Sequence, residues 1–233
     1  MGRRLLLLST STVFGNGYLE HALPELEDFL GSARRVLFVP FALKDHAAYA
    51  AKARAVFEST GRIFASLHET PFPAEAVGSA EALFVGGGNT FRLLNALYRI
   101  DLLALIRSRV AKGMLYCGAS AGSNLAGPTI RTTNDMPIVE PPSLRALGLV
   151  SFQINPHYVD PEPGSRHMGE TREERLRQFH EENETPVVAL REGAILRVEG
   201  ADVVLKGIAG ARIFRRDQDP VEVSPGASLE GLL

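Results

Sequence analysis

The sequence predicts an α/β domain in which helices cover both faces of a parallel sheet. Apolar runs of strand length alternate with stretches of helical period through the first half of the chain, and strands buried on both faces have this pattern. The chain has 233 residues, of which 45% are hydrophobic and 22% charged, as is typical of a globular protein. A chain of this length can bury one large core, so we expect a single domain over residues 1–233.

The first half supplies the predicted parallel strands and the helices between them. Helix signals are found at residues 18–30 and at 45–59, and further helices are capped by Asn89 or Thr90 and by Asp101, because such side chains can accept hydrogen bonds from the first turn. The strands are predicted at residues 5–8, 36–39, 63–67, 82–85 and 114–117.

The second half has a different character, with a β-rich C-terminal part. A strand is predicted at 149–154, followed by a long loop over 155–169 and a helix that begins at Glu170 or Thr171 and ends at Glu182. Loops of this length are often functional. The remaining strands are predicted at residues 187–190, 194–198, 203–205 and 212–214.

Composition excludes several classes of partner. Lys and Arg number 25 against 27 Asp and Glu, and without a basic cluster nucleic acid is not an expected partner. The single cysteine, Cys117, allows no internal disulfide and no cysteine-based zinc site. The apolar run near the N-terminus is too short for a signal sequence or a membrane span. We therefore expect a cytoplasmic protein with no membrane association, no metal and no cofactor.

The sharpest motif is Gly118-Ala119-Ser120-Ala121-Gly122, directly after a predicted strand. This is the G-x-S-x-G pattern of a nucleophile elbow, a tight turn from strand to helix that needs small neighbours and exposes the serine Oγ. The NH group of Ala121 is then available to an oxyanion. The alternative is a Gly/Ala-rich turn with a serine that caps a helix.

A glycine run, Gly86-Gly87-Gly88-Asn89-Thr90, follows another predicted strand. Glycines let backbone NH groups approach a ligand closely, as a second donor for an oxyanion or as an anion site. The run lacks the Lys-Ser/Thr of a phosphate-binding P-loop. Asn89 is a candidate for contacting the substrate and, alternatively, for capping the next helix.

A catalytic serine needs a base and a carboxylate that orients it. His157, in Asn-Pro-His-Tyr after a predicted strand, lies at the edge of the sheet where α/β proteins bind ligands; His167, on the same loop, is the second choice. The other histidines are interpreted as solvated surface groups. For the carboxylate, Asp135 and Glu192 are both candidates, and their spacing in the sequence does not choose between them.

Taken together, these motifs resemble peptidase E, the aspartyl dipeptidase family of serine peptidases (family S51). The matching stretches run in the family's order and cover most of the chain from about residue 83 to 192. They lie at residues 84–90, 118–122, 132–139, 152–158 and 169–173. The resemblance implies a flavodoxin-like sandwich similar to class I glutamine amidotransferases, and removal of an unblocked N-terminal aspartate from dipeptides.

The resemblance also implies roles, position by position. Ser120 matches the nucleophile, His157 the base and Glu192 the third member of the triad, with Asp135 a rival or supporting acid. The remaining matches are Gly88, which joins Ala121 in the oxyanion hole, and Arg172, which binds the substrate aspartate carboxylate. Otherwise Arg172 is a surface arginine paired with a glutamate.

The sequence therefore predicts a serine exopeptidase acting on small Asp-X substrates. Two alternatives remain. A related serine peptidase could act on another acidic amide, such as an aspartate-rich polymer, with only the specificity pocket changed. A non-catalytic ligand-binding module could share the fold, although an intact set of Ser120, His157 and a carboxylate argues against it.

Overall fold

A computed structural model describes residues 2–161, 164, 166, 168–229 and 231. The chain forms a mixed α/β fold with two sheets. The strands are β1 Arg4–Leu8, β2 Arg35–Val39, β3 Ile63–Ser66, β4 Ala82–Val85, β5 Leu115–Ala119, β6 Gln153–Asn155, β7 Val187–Leu190, β8 Ala194–Glu199, β9 Asp202–Gly207, β10 Ala211–Phe214 and β11 Val221–Val223. The α-helices are α1 Leu23–Leu30, α2 His46–Ser59, α3 Pro73–Ser79, α4 Thr90–Arg99, α5 Leu103–Ala111, α6 Ala121–Asn124 and α7 Arg172–Glu182.

The large sheet has seven strands in the order β3-β2-β4-β5-β1-β8-β9. Its first five strands are parallel, whereas β8 pairs antiparallel with β1 and β9 antiparallel with β8. The expectation of a parallel sheet is thus met only in this five-strand part. Because parallel strands end at the same edge, the residues after β1, β2, β4 and β5 meet at one edge.

A second, four-stranded sheet was not foreseen from the sequence. Its order is β11-β10-β7-β6, with β6 and β7 parallel and the other pairs antiparallel. One hydrophobic cluster includes residues of both sheets, among them Leu7 and Leu196 of the large sheet and Val188 and Ile213 of the small one. The shared apolar layer fixes the position of β6 and β7 beside the large sheet.

Three predicted elements differ from the structure. The helix expected at 18–30 begins instead with a 3-10 turn at Glu20–Ala22, after Leu19 in a left-handed conformation, and α1 starts only at Leu23. Asp101 does not cap α5. It has a φ of 50° and precedes Leu102, the N-terminal flanking residue of that helix.

The strand expected at 149–154 is shorter, because its first residues bond elsewhere. The NH groups of Leu149 and Val150 both donate to the carbonyl oxygen of Ala126, just after α6, so pairing with β7 begins only at Gln153. The starts of α4 and α7 are as predicted, whereas α3 was not expected from the sequence. Asn89 caps α4, and Thr171 with Glu174 forms a capping box at the start of α7.

The turn from β5 into α6 depends on two glycines. A Cβ atom on Gly118 would lie 2.5 Å from the carbonyl oxygen of Gly122, and one on Gly122 would lie 2.2 Å from the carbonyl oxygen of Val85. Both distances are far below van der Waals contact. The two glycines therefore allow α6 to pack directly on the end of β4 and set the position of Ser120 between them.

We expect Gly122→Ala to lower the free energy of unfolding by about 3 kcal/mol, because the new methyl group overpacks a backbone contact that cannot relax cheaply. Urea unfolding measures the change. Gly78→Ala is the matched control, since Gly78 lies in α3 with no atom within 4 Å of its Cβ position. There the change should stabilise by about 0.5–1 kcal/mol. Equal effects at both positions would contradict the role of the close approach.

Candidate active site

Ser120 lies in a strained turn at the carboxyl edge of the large sheet. It has φ 53° and ψ −110°, between the end of β5 at Ala119 and the start of α6 at Ala121. Its NH donates to the carbonyl oxygen of Leu8 over 2.9 Å, and its carbonyl oxygen accepts from the NH of Ser123 over 2.9 Å. Positive φ is uncommon for serine. These bonds hold the elbow conformation that the motif predicts.

His157 connects Ser120 to a carboxylate. Its Nε2 lies 2.8 Å from the Oγ of Ser120, and its Nδ1 lies 2.9 Å from Oε1 of Glu192. Both distances are those of hydrogen bonds. A carboxylate on Nδ1 keeps the proton there, which leaves Nε2 free to accept the proton of the serine. The arrangement can activate a serine nucleophile.

Ser9 joins the two halves of this arrangement. Its side chain is fully buried; the Oγ donates to the carbonyl oxygen of Leu190 over 2.9 Å and accepts from the NH of His157 over 3.0 Å. Its own NH donates to the carbonyl oxygen of Ala194. Since His157 has a φ of 55°, its backbone needs such support. Ser9, directly after β1, thus fixes the histidine beside the end of β1, the neighbour of the strand β5 that carries the nucleophile.

Asp135 is bound to the start of α4. Its Oδ2 accepts from the NH of Thr90 over 2.7 Å and from the hydroxyl groups of Thr90 and Thr133 over 2.6 and 3.1 Å. An anion at a helix N-terminus is favoured by the helix dipole. Within the described part of the chain, the side-chain partner of His157 Nδ1 is Glu192 and not Asp135.

The glycine run lies against the elbow. A Cβ atom on Gly87 would be 3.0 Å from the Cβ of Ser120, and one on Gly88, which has a φ of 132°, would be 2.7 Å from the carbonyl oxygen of Ala42. A side chain at Gly87 would therefore crowd Ser120, and one at Gly88 would clash with the backbone of Ala42. Ala121 is the first residue of α6, where a helix leaves NH groups without an intrahelical acceptor. The oxyanion role expected of Gly88 and Ala121 stays a prediction.

Asn89 has a structural use that occupies both ends of its amide. Its Oδ1 accepts from the NH of Arg92 over 3.0 Å, and its Nδ2 donates to the carbonyl oxygen of Met136 over 2.8 Å. Of the two uses that the sequence suggests for Asn89, the structure displays the helix cap.

A cavity of about 780 Å³ opens over the Ser120 hydroxyl. Its lining combines the elbow, the glycine run and His157 with one side of α2 and the loop after β1; these residues are Thr10, Ser11, Tyr18, Leu43, Lys44, Asp45, Ala48, Tyr49, Lys52, Gly87, Gly88, Ser120, Asp135 and His157. A volume of this size accommodates a small ligand.

Arg172 is the first residue of α7, close enough to Asp135 for their charges to interact. Partial burial lowers the pKa of Arg172, Arg175 lowers it further, and Asp135 acts in the opposite direction. Neighbouring arginines of α7 do have partners: Arg175 pairs with Glu170 and Arg177 with Glu173. Among the residues that the structure describes, Arg172 has no ion-pair partner.

The start of α7 is held in place by the small sheet. Arg212 of β10 bonds Glu173 over 2.6 Å and the hydroxyl of Tyr158 over 3.1 Å. Arg191 forms a two-bond contact with Asp160. These charge-assisted contacts connect the segment after His157 to α7, and they place Arg172 on the same side of the molecule as the histidine.

The remaining cysteine, histidine and arginine candidates of the sequence analysis are not part of the line from Ser120 to Glu192. Burial raises the pKa of the Cys117 thiol, which keeps it protonated and unreactive. The expectation that His180 lies at the surface is wrong, because only 6% of this residue is exposed and its ring packs edge-on against Phe179. The guanidinium of Arg131 donates a hydrogen bond to the side-chain oxygen of Asn183. His167 lies outside the described residues.

The structure also adds residues that the sequence analysis missed. Ser9 has no motif of its own, and its role depends on two sheets meeting. Asp45, Ala48, Tyr49 and Lys52 line the cavity from one face of α2. Their spacing of three and four residues places them on one side of a helix, so this face could have been found from the sequence once α2 was placed after β2.

Comparison with known proteins gives one consistent family. The model of peptidase family S51 matches residues 5–206. The chain is 56% identical to "Peptidase E" of Streptomyces coelicolor over 98% of this chain and 94% of that protein. It is 50% identical to "Probable alpha-aspartyl dipeptidase" of Drosophila melanogaster over 99% and 98%.

Solved structures show the same fold at low sequence identity. A crystal structure of a putative peptidase E from Listeria monocytogenes has a TM-score of 0.69 at 22% identity, covering 90% of this chain and all of that one. A peptidase from an acI-B1 Actinobacterium has a TM-score of 0.71 at 17% identity, covering 99% and 97%.

A mixed α/β fold with a serine elbow, together with these relatives, defines the chain as a serine peptidase, a class of hydrolase. It belongs to peptidase family S51. In the part of the chain that the structure describes, no helix is long and apolar enough to cross a membrane, and no group of three or more His, Cys, Asp or Glu residues is placed to hold a metal ion.

We expect Ser9→Ala to lower kcat by about 10- to 100-fold, since small displacements of a catalytic group are costly. The free energy of unfolding should fall by only about 1–2 kcal/mol, the loss from unpairing buried polar groups. Steady-state kinetics and urea unfolding measure the two effects. Ser59→Ala is the control, because Ser59 caps the exposed end of α2. An unchanged kcat in Ser9→Ala would mean that Ser9 only stabilises the fold.

Proposed function

We propose that this serine peptidase is an α-aspartyl dipeptidase that cleaves Asp-X through an acyl-enzyme. The observation that carries the proposal is the continuous hydrogen-bond line from Ser120 through His157 to Glu192. The names of the relatives support the substrate class, since one is called a probable alpha-aspartyl dipeptidase.

In the proposed mechanism, Ser120 Oγ attacks the carbonyl carbon of the N-terminal aspartate while His157 Nε2 takes its proton. Glu192 orients the imidazole and stabilises its positive charge. The NH groups of Gly88 and Ala121 stabilise the oxyanion. His157 then gives the proton to the leaving amine as the C–N bond breaks, and water, deprotonated by the same histidine, releases the aspartate.

Selection of aspartate is assigned to Arg172. Its guanidinium has no ion-pair partner among the described residues, and it lies near Asp135, which lines the cavity. Arginine forms two-bond contacts with carboxylates. Asp135, bound at the start of α4, is the supporting acid near Arg172. It could replace Glu192 as the triad acid only if His157 exchanged its hydrogen-bond partner. Asn89 stays a predicted substrate contact. It would bind the substrate through its backbone, or through its side chain after that side chain had left Arg92 and Met136.

We also propose the finer description of the fold that the sequence suggested. The five parallel strands stand in the order β3-β2-β4-β5-β1, so the strand order changes direction between β2 and β4. This order supports a flavodoxin-like core similar to class I glutamine amidotransferases. The apolar cluster shared by both sheets supports one domain over residues 1–233. The cytoplasmic location and the absence of a nucleic-acid partner stay predictions.

Ser120→Ala should keep the fold and lose activity by about a million-fold, because the members of a triad act as one unit. Hydrolysis of Asp-Leu and circular dichroism of the variant provide the measurement. Cys117→Ala is the control and should retain most of the activity. Covalent labelling of wild type at Ser120 by a serine-directed phosphonate is expected too; a protein that neither cleaves Asp-Leu nor takes the label would be a binding module instead.

Glu192→Gln should lower kcat by about three to four orders of magnitude, because an amide can present the wrong hydrogen-bond polarity to the imidazole. Asp135→Asn should cost less, since Asp135 bonds the start of α4 and not the histidine. Both variants are compared by kcat on Asp-Leu. If Asp135→Asn is the more damaging change, the assignment of the triad acid is reversed.

Arg172→Lys should lower kcat/KM for Asp-Leu by roughly 2 kcal/mol of transition-state binding, because lysine keeps the charge but loses the planar fork. The slower reaction of Asn-Leu should change little. The measured quantity is the Asp-Leu to Asn-Leu ratio of kcat/KM for wild type, Arg172→Lys and Arg172→Ala. A constant ratio across the three proteins would assign selection to another cation, such as Arg131 or Arg166.

A further inference from the structure

The cavity above Ser120 is lined by two lysines, on the side formed by α2 and the residues just before it. The structure holds Lys44 just before α2 and Lys52 within it, and both line the same cavity as Ser120 and His157. They are two of only four lysines in the chain. Neither has an ion-pair partner in the described ranges, whereas another lysine, Lys206, pairs with Glu25.

Lys52 is placed by a series of ring contacts that ends at the glycine run. Its Nζ lies 4.7 Å from the ring centroid of Tyr18, a cation–π distance. The Tyr18 ring meets Tyr49 edge-on, with centroids 6.2 Å apart. The Tyr49 ring in turn lies against Gly86, where a Cβ atom would be only 2.5 Å from the tyrosine hydroxyl. These contacts hold the Lys52 ammonium group beside Tyr18 at the cavity lining.

The carboxylates in the same cavity are already bound to backbone donors. Asp45 accepts from the NH of Ala48 at the start of α2. Asp135 accepts from Thr90 and Thr133 at the start of α4. Both negative charges face helix N-termini, where they are stabilised. Lys44 and Lys52 thus remain available to an anionic ligand.

An Asp-X dipeptide carries two carboxylates and one ammonium group. The first carboxylate is the aspartate side chain, which the proposed function assigns to Arg172. The second is the C-terminal carboxylate of X, which stands within one residue length, about 3.5 Å, of the bond that is cut. A longer peptide would move this charge outward by a further residue, about 3.5 Å.

We propose that Lys44 and Lys52 bind the C-terminal carboxylate of the leaving residue and thereby make the enzyme selective for dipeptides with a free C-terminus. This inference rests on the proposed function. It assigns the two carboxylates of the substrate to different cations: Arg172 reads the side chain of the first residue, and the lysines read the length of the peptide.

The test compares Asp-Leu with Asp-Leu-amide, which differ only in the C-terminal charge. In wild type, kcat/KM should favour Asp-Leu. In the double variant Lys44→Gln/Lys52→Gln this preference should fall about tenfold, the loss of two partly exposed charge contacts, whereas kcat/KM for Asp-Leu-amide should change little. Lys52→Arg should retain the preference, and added salt should weaken it in wild type.

Lys112→Gln is the matched control. Lys112 follows α5 and precedes β5, at the opposite edge of the sheet from Ser120, so its loss should leave the preference unchanged. The Asp-Leu to Asn-Leu ratio is measured in every variant, and it should respond to Arg172→Lys and not to loss of the lysines.

Each other outcome overturns the inference in a recognisable way. An unchanged Asp-Leu preference in a folded, active double variant means that the lysines do not read the C-terminus. A collapse of the Asp-Leu to Asn-Leu ratio in that variant means that the lysines bind the aspartate side chain instead. If wild type cleaves neither Asp-Leu nor its amide, the proposed function fails, and this inference fails with it.

Discussion

The site depends on the junction between the two sheets, where one buried hydroxyl bonds the ends of strands from both. Ser9 directly follows β1 of the large sheet. Its Oγ donates to the carbonyl oxygen of Leu190 at the end of β7 and accepts from the NH of His157 after β6. The nucleophile comes from one sheet, whereas the base and its carboxylate come from the other. Without this contact, the two sheets could share a core and still hold His157 out of reach of Ser120.

Backbone strain is concentrated at the same place. Ser120 and His157 both have positive φ, a conformation that costs free energy unless its surroundings enforce it. For Ser120, the enforcement comes from bonds to Leu8 and Ser123 and from glycines that let α6 pack on β4. Stability is thus used to hold two side chains at hydrogen-bond distance before any substrate arrives, as preorganised catalysis requires.

The acidic and basic side chains of the cavity differ in whether they already have partners. Asp45 and Asp135 accept hydrogen bonds at helix starts. They line the cavity without forming ion pairs with Lys44 or Lys52. In the function and the inference proposed above, Arg172, Lys44 and Lys52 bind the carboxylates of the ligand. Recognition of a small substrate by its charges, as proposed, fits a cavity lined by charged side chains at Lys44, Asp45, Lys52 and Asp135.

The sequence by itself determined the local chemistry: the elbow around Ser120, the glycine run, the Asn89 cap and the histidine at a strand end, because each depends on residues adjacent in the chain. Tertiary structure decided what depends on distant contacts. Four features depend on which parts of the chain meet in space. They are the second sheet, the hydrogen bonds to Ala126 that shorten β6, the burial of His180, and the bond of His157 to Glu192 rather than to Asp135. Spacing along a chain does not encode that meeting, since it is set by the packing of apolar surfaces far apart in sequence.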